Sequence, residues 1–252
     1  MTKSALIIEN LRVAYGEKVA VDDVSVELAR GELVGYLGPN GAGKSTTLKA
    51  IAGMVIPQDG AIAVGGVSAV TDPQKVKQMI GFLHESGAIY DVLTPREHFA
   101  LIADLRQLDR AKLLGKGEEV LDFLELDSDV RDKRMHDFSK GMKQKVAIAS
   151  ALLHEPELLL LDEPLNGLDV NATSRFKQLL VEYAEKGGTV LYSSHLLDVV
   201  ERLCQRVIIL HEGKVLERLS LENMKETHPG KTLEDLFHEL TGFEPAHFGG
   251  QA

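Results

Sequence analysis

The chain has 252 residues, 44% hydrophobic and 26% charged, the make-up of an ordinary globular protein with room for one large α/β domain or two small ones. Its net charge of −10 argues against a general nucleic-acid binder. No stretch approaches the roughly 20 apolar residues of a membrane-spanning helix, and the opening Met1-Thr2-Lys3-Ser4 has no signal-peptide architecture. The single cysteine, Cys204, excludes an internal disulfide, fits a reducing compartment, and lies in an apolar-periodic segment where a buried filler is expected.

In chain order, Leu6-Ile7-Ile8, Leu11-Arg12-Val13 and Val24-Ser25-Val26-Glu27-Leu28 run apolar or alternate as strands do. Gly31-Glu32 marks a turn before an apolar run at 33–37, read as a strand, and a helix-like stretch follows at 44–52. Another strand is expected at 61–64, after a turn at Pro57 and Gly60. Together these predict a mixed sheet in which antiparallel strands flank the strand at 33–37. From about Glu85 to His136 the character changes. Thr94-Pro95-Arg96-Glu97 is a helix start, with a Thr cap, Pro at the first helical position and Glu three residues after the cap. Helical periodicity continues through Leu101, Leu105 and Leu108 to Leu121, Phe123 and Leu126, with breaks expected at Gly115 and Gly117. No run in this block resembles a strand, so it reads as a helical insertion. Alternation then resumes: a helix from Ser139 to about His154, a strand at 158–161, a helix at 171–186, a strand at 189–193, a helix at 196–203 and a strand at 207–210. Four consecutive leucines before Asp162 suit a central strand buried on both faces. The tail beyond Ser220 is acidic, with helices expected at 221–226 and 232–240.

Between the strand at 33–37 and the following helix lies Gly38-Pro39-Asn40-Gly41-Ala42-Gly43-Lys44-Ser45-Thr46, the phosphate-binding loop of a nucleoside triphosphatase in its strand–loop–helix setting. Glycines let the backbone N–H groups turn inward around the β-phosphate, and the helix N-terminus adds unpaired donors. Lys44 can bridge the β- and γ-phosphates, and the Ser45 hydroxyl can ligate Mg²⁺. Asp162, ending the leucine strand 118 residues after Lys44, can hold Mg²⁺ through water, and the adjacent Glu163 can act as general base on an attacking water. A basic segment from Arg131 to Lys145 carries six Lys/Arg against Asp132 and Asp137. It reads either as a solvated helix face or as a surface facing a polyphosphate.

Phe138-Ser139-Lys140-Gly141-Met142, placed 23 residues before Asp162, resembles the signature of ATP-binding cassette (ABC) ATPases, usually Leu-Ser-Gly-Gly-Gln. The resemblance extends from about Leu6 to Gly242. It implies an α/β fold: a P-loop NTPase core with a mixed sheet, an antiparallel β subdomain and a helical insertion. One domain would cover 1–242, its helical part about 85–154, with 243–252 as a C-terminal tail. It also implies that Ser139, Lys140, Gly141 and Met142 meet the γ-phosphate held by a second subunit, so that two chains sandwich two ATPs. Tyr15 matches the aromatic that stacks on adenine. Asn166-Gly167-Leu168-Asp169 matches the loop joining two active sites, and His195, 32 residues after Glu163, matches the histidine that contacts γ-phosphate and catalytic water. Two departures stand out. Where the family has a Mg²⁺-sensing glutamine this chain has Glu85, and its signature carries Lys140 and Met142 in place of Gly and Gln.

The function implied is ATP binding and hydrolysis by an ABC transporter subunit. It would dimerise on ATP with itself or a close paralogue and drive a separate membrane permease, with the ending Leu233-Glu234-Asp235-Leu236-Phe237 most like export-type bacterial subunits. Such a subunit sits in the cytoplasm against the inner face of the cell membrane, uses ATP and Mg²⁺, and has no nucleic-acid partner. The competing expectation is a soluble ABC ATPase acting on ribosomes or nucleic acid. Proteins of that kind resemble two fused cassettes or carry long coiled-coil or zinc-bearing insertions, and this chain has one cassette, one cysteine and no sustained heptads.

Overall fold

The computed structural model describes residues 4–242. The C-terminal tail expected at 243–252 lies outside them.

Two sheets form the frame. The first is antiparallel, ordered β2-β1-β4-β5, from β1 (Ser4–Tyr15), β2 (Lys18–Ala29), β4 (Asp59–Val64) and β5 (Val67–Ser68). The two short strands read at 6–8 and 11–13 are one strand, kinked by a bulge where Asn10 takes a left-handed conformation (φ 49°). The second sheet has six strands in the order β10-β9-β3-β8-β7-β6. They are β3 (Leu33–Leu37), β6 (Ile80–Leu83), β7 (Leu158–Asp162), β8 (Thr189–Ser194), β9 (Arg206–His211) and β10 (Lys214–Ser220).

The expected neighbours of 33–37 are corrected here. β3 pairs in parallel with β8 and β9, both distant in sequence, and the antiparallel strands form their own layer. Only β10, antiparallel to β9, makes the larger sheet mixed. Its central strands β3, β7 and β8 are buried on both faces. Leu159 and Leu161 of β7 enter one apolar cluster while Leu158 and Leu160 enter the other, so four leucines in a row are what the two-faced position demands.

Helices cover both faces. α1 (Lys44–Ile51) packs between the two sheets, and α2 (Pro73–Met79) runs directly into β6. The helical insertion contains α3 (Pro95–Arg106), α4 (Arg110–Phe123), two short 3-10 turns and α5 (Lys140–Leu152). Thr94 caps α3 with a full capping box, as its sequence requires. The breaks expected at Gly115 and Gly117 do not occur, since α4 runs through both. The break falls instead between α3 and α4, where α3 ends at Gln107, left-handed at φ 55°. Gly117 serves packing: a Cβ there would overlap the fully buried ring of Phe99. α6 (Val170–Glu185), α7 (Leu197–Leu203), α8 (Met224–Thr227) and α9 (Leu233–Thr241) share the apolar cluster of the insertion, on the face opposite α1. Cys204 is buried beside Tyr192 and Val200, and burial pushes its thiol pKa up, as a filler residue requires.

Candidate functional site

The strand β3 is fully buried and delivers the chain into the loop at 38–43, whose last glycine opens α1. Gly43 is needed twice over. Its φ of 105° is one that L side chains rarely adopt, and a Cβ would lie 2.6 Å from the Ala20 carbonyl oxygen. The antiparallel sheet therefore braces the loop through the start of β2.

Lys44 is buried, and its Nζ donates to the carbonyl oxygens of Gly38 (2.6 Å) and Pro39 (3.2 Å). Burial pulls its pKa down, opposed by the nearby charges of Glu163, Asp162 and Glu85. Across the sheet, β7 ends in Asp162, only 1% exposed, with both carboxylate oxygens buried and lacking a hydrogen-bond partner. A buried carboxylate in that condition is costly unless a cation or bound water completes it. The set thus fits Mg²⁺, a hard cation that keeps several waters and combines one or two carboxylates with phosphate oxygens. Among the described residues no cluster of three or more His, Cys, Asp or Glu could hold a metal by itself.

Glu163 follows in a left-handed conformation (φ 47°), an arrangement that costs about 1 kcal/mol for a residue with a side chain and that recurs at functional sites. Its Oε1 lies 2.8 Å from His195 Nδ1, and its Oε2 accepts from the Ser194 hydroxyl at 3.4 Å. With Glu163 ionised, the proton in this contact is on His195 Nδ1, which donates to Oε1.

One cavity of about 510 Å³ gathers Tyr15, Asn40 to Thr46, Glu85, Asp162, Glu163, Asn166 and His195. Tyr15 is half exposed, at the edge where β1 turns through Gly16 into β2. Lys18 and Ala20 also line the cavity, and the sequence reading missed both. Lys18 pairs across the hairpin with Tyr15, a register that no motif encodes.

Ser139, Lys140, Gly141 and Met142 do not line this cavity. They form the start of α5, capped by Ser139 Oγ accepting from Met142 N (3.2 Å), against the loop at 166–169. A Cβ on Gly141 would sit 2.6 Å from the Gly167 carbonyl oxygen, and the Lys140 stem lies over Gly167. Asp169 caps α6, and the hydrogen bond from Ala172 N, foremost among several, holds its carboxyl below the usual range. Most of the basic segment is internally committed. Arg131 pairs with Glu118 (2.8 Å) and Asp122 (2.7 Å), Arg134 donates to the Val92 carbonyl, Lys143 pairs with Asp91, and Lys145 donates to the Glu125 carbonyl.

The structure thus brings Lys44, Asp162, Glu163 and His195 into one cavity and packs the capped start of α5 against the loop at 166–169. The sequence pattern of the ABC transporter family matches residues 21–166. The chain belongs to that family. It is 40% identical over 220 residues to the ABC transporter ATP-binding protein NatA of Bacillus subtilis (strain 168), covering 86% of this chain and 89% of NatA. It is 38% identical to the linearmycin resistance ATP-binding protein LnrL of the same organism, covering 82% and 67%. Among solved structures, the ATP-binding subunit of an ABC transporter superposes with a TM-score of 0.87 at 34% identity, covering 94% of this chain and 99% of that one. The dimeric bacterial ABC transporter cassette MJ0796 superposes with a TM-score of 0.79 at 28% identity, covering 86% and 98%. This member of the ABC family is thus an ATP-binding transporter subunit and an ATPase.

Proposed function

We propose that this ABC ATPase pairs with a second ABC ATPase subunit, itself or a close paralogue, and drives a separate integral membrane permease in export. The observation that carries this reading is a division of the site. Lys44, Asp162, Glu163 and His195 share one cavity, whereas the N-terminus of α5, with Ser139 and Gly141, lies outside it. A helix N-terminus exposes unpaired N–H groups suited to a phosphate, and the phosphate assigned to this one is held by the partner cassette in a two-fold, head-to-tail pair. The dimeric form of MJ0796 supports such pairing, and the resistance role in the name of LnrL supports export. No helix among the described residues is long and apolar enough to cross a membrane, which supports a separate permease holding the subunit at the cytoplasmic face. Residues 1–242 would act as one catalytic cassette.

In this reading Tyr15 stacks on adenine, while the loop from Gly38 to Thr46, through its backbone N–H groups other than at Pro39, and the Lys44 ammonium hold the β- and γ-phosphates. Ser45, Asp162 and Glu85 would hold Mg²⁺, which when bound neutralises charge on the phosphates. Glu163 takes a proton from the attacking water as its oxygen bonds to the γ-phosphorus and the bond to the ADP oxygen breaks. His195 fixes the orientation of Glu163 through the bond at Nδ1. Ser139 and Gly141 donate to the partner's γ-phosphate, Lys140 adds positive charge there, and Met142 contributes only contact.

The test is dimerisation. Glu163→Gln chains should run as dimers with ATP on a sizing column and as monomers without it. Adding Ser139→Arg to the same chain should abolish the dimer and leave nucleotide binding by the monomer unchanged. ATP-dependent dimers of the double variant would remove Ser139 from a cross-subunit role.

A further inference from the structure

The candidate nucleotide cavity is lined by more carboxylates than lysines. Its lining has two lysines, Lys18 and Lys44, against three carboxylates, Glu85, Asp162 and Glu163. The formal excess is one negative charge, in a site assigned to the most negative common metabolite class. Asp162 is 1% exposed with both oxygens unpartnered, and Lys44, the buried cation near it, is shared among Glu163, Asp162 and Glu85. Glu85 comes from the segment just after β6, is exposed on its outer side, and interacts electrostatically with Lys44, the residue needed for the phosphates. His84 beside it does not line the cavity, its Nδ1 accepting from Ser86 N at 3.1 Å, so Glu85 is the member of this dipeptide that does.

We infer that Glu85 makes nucleotide binding obligatorily metal-coupled, rejecting the uncomplexed triphosphate and admitting it together with a divalent cation. The inference rests on the nucleotide-site reading above and deepens it. A glutamine at position 85 would leave the lining formally neutral and would still offer an oxygen to a cation. A carboxylate adds repulsion toward bare phosphates that a divalent cation reverses into attraction. One residue thus acts in opposite directions on the two forms of the same ligand.

The experiment measures the dissociation constant of a fluorescent, non-hydrolysable ATP analogue, once with excess Mg²⁺ and once with EDTA, for the full chain and for Glu85→Gln and Glu85→Asp. The readout is the ratio of the two constants, independent of turnover. Glu85 is exposed, so neither substitution removes core packing, and matched thermal midpoints confirm folding. Glu85→Gln should lower the ratio roughly five- to tenfold, chiefly by tightening binding in EDTA, as removal of one nearby like charge in a partly solvated site requires. Glu85→Asp should keep the ratio within about twofold of the original. An unchanged ratio in Glu85→Gln overturns the inference and leaves the nucleotide site standing. Absence of nucleotide binding by the unaltered chain in both conditions overturns both.

Discussion

His195 Nδ1 lies 2.8 Å from Glu163 Oε1, so the imidazole holds one oxygen of the acid that follows the unpartnered Asp162. The second oxygen keeps only a long contact, 3.4 Å from the Ser194 hydroxyl, and is the one left to accept a proton. Glu163→Gln should therefore bind ATP with little change and lose steady-state ATPase by ~10²–10⁴-fold. Phosphate release by the purified variant checks this, and a normal rate would exclude Glu163 as the base. His195→Ala should retain nucleotide and lose rate, because the glutamate keeps its position in the backbone but loses its orientation.

Lys44→Ala should abolish nucleotide binding itself, measured by titration with the same fluorescent analogue. The substitution removes the cation in the buried part of the cavity and leaves Asp162 and Glu163 uncompensated. Nucleotide affinity within twofold of the original would contradict the loop assignment.

Gly115 and Gly117 sit in the same helix and should respond to alanine with opposite signs. Gly115 has open space where a Cβ would be, so Gly115→Ala should stabilise by about 0.5–1 kcal/mol through helix propensity. Gly117→Ala gains the same propensity but drives a methyl into Phe99, and overpacking of about 1–3 kcal/mol wins. Urea midpoints of the two variants measure the difference. Equal stabilisation would mean that α3 and α4 are not packed as described.

Two histidines make the fold acid-sensitive. Burial pushes the pKa of His98 down to about 4, and burial, aided by the charge of Arg106, does the same to His154. Both rings are neutral when folded, and in the unfolded chain they bind protons near the ordinary value of about 6.5. Since the folded pKa is depressed, their stabilising contribution is fully present above pH about 6.5 and is lost as pH falls toward 4. His98 is 3% exposed, so the loss attached to it should reach roughly 2 kcal/mol by pH 4.5. His98→Phe should flatten the fall in urea midpoint between pH 7 and 4.5, and an unchanged slope would show that His98 does not titrate with unfolding.

The candidate site was legible because the chemistry proposed for it needs fixed residue types at fixed places. Lys44, Asp162, Glu163 and His195 were named from the chain, and the fold brings them into one cavity. The buried strands were equally clear, since a strand apolar on both faces has no polar alternation to confuse it. What escaped notice had weaker signals. β10 is an exposed edge strand carrying Lys214, Glu217 and Arg218, and α2 joins β6 without a turn residue between them. Gly117 was misread because a glycine that admits a neighbouring ring looks, in sequence, like one that ends a helix. Lys18 enters the cavity through a hairpin register, and the neighbours of β3 are settled by contacts across more than a hundred residues.

Those long-range partners have a consequence for synthesis. The loop at 38–46 leaves the ribosome more than a hundred residues before β8 (Thr189–Ser194) and β9 (Arg206–His211), but β3 needs both on either side before its sheet hydrogen bonds exist. A nascent chain that has made Gly38 to Thr46 carries the motif without the strand that aims it. Non-local pairing of this kind is slow to form and exposes apolar edges while it waits. Completion of the sheet around β3 thus waits for β9, and a chain cut before Arg206 would leave that edge of β3 unpaired.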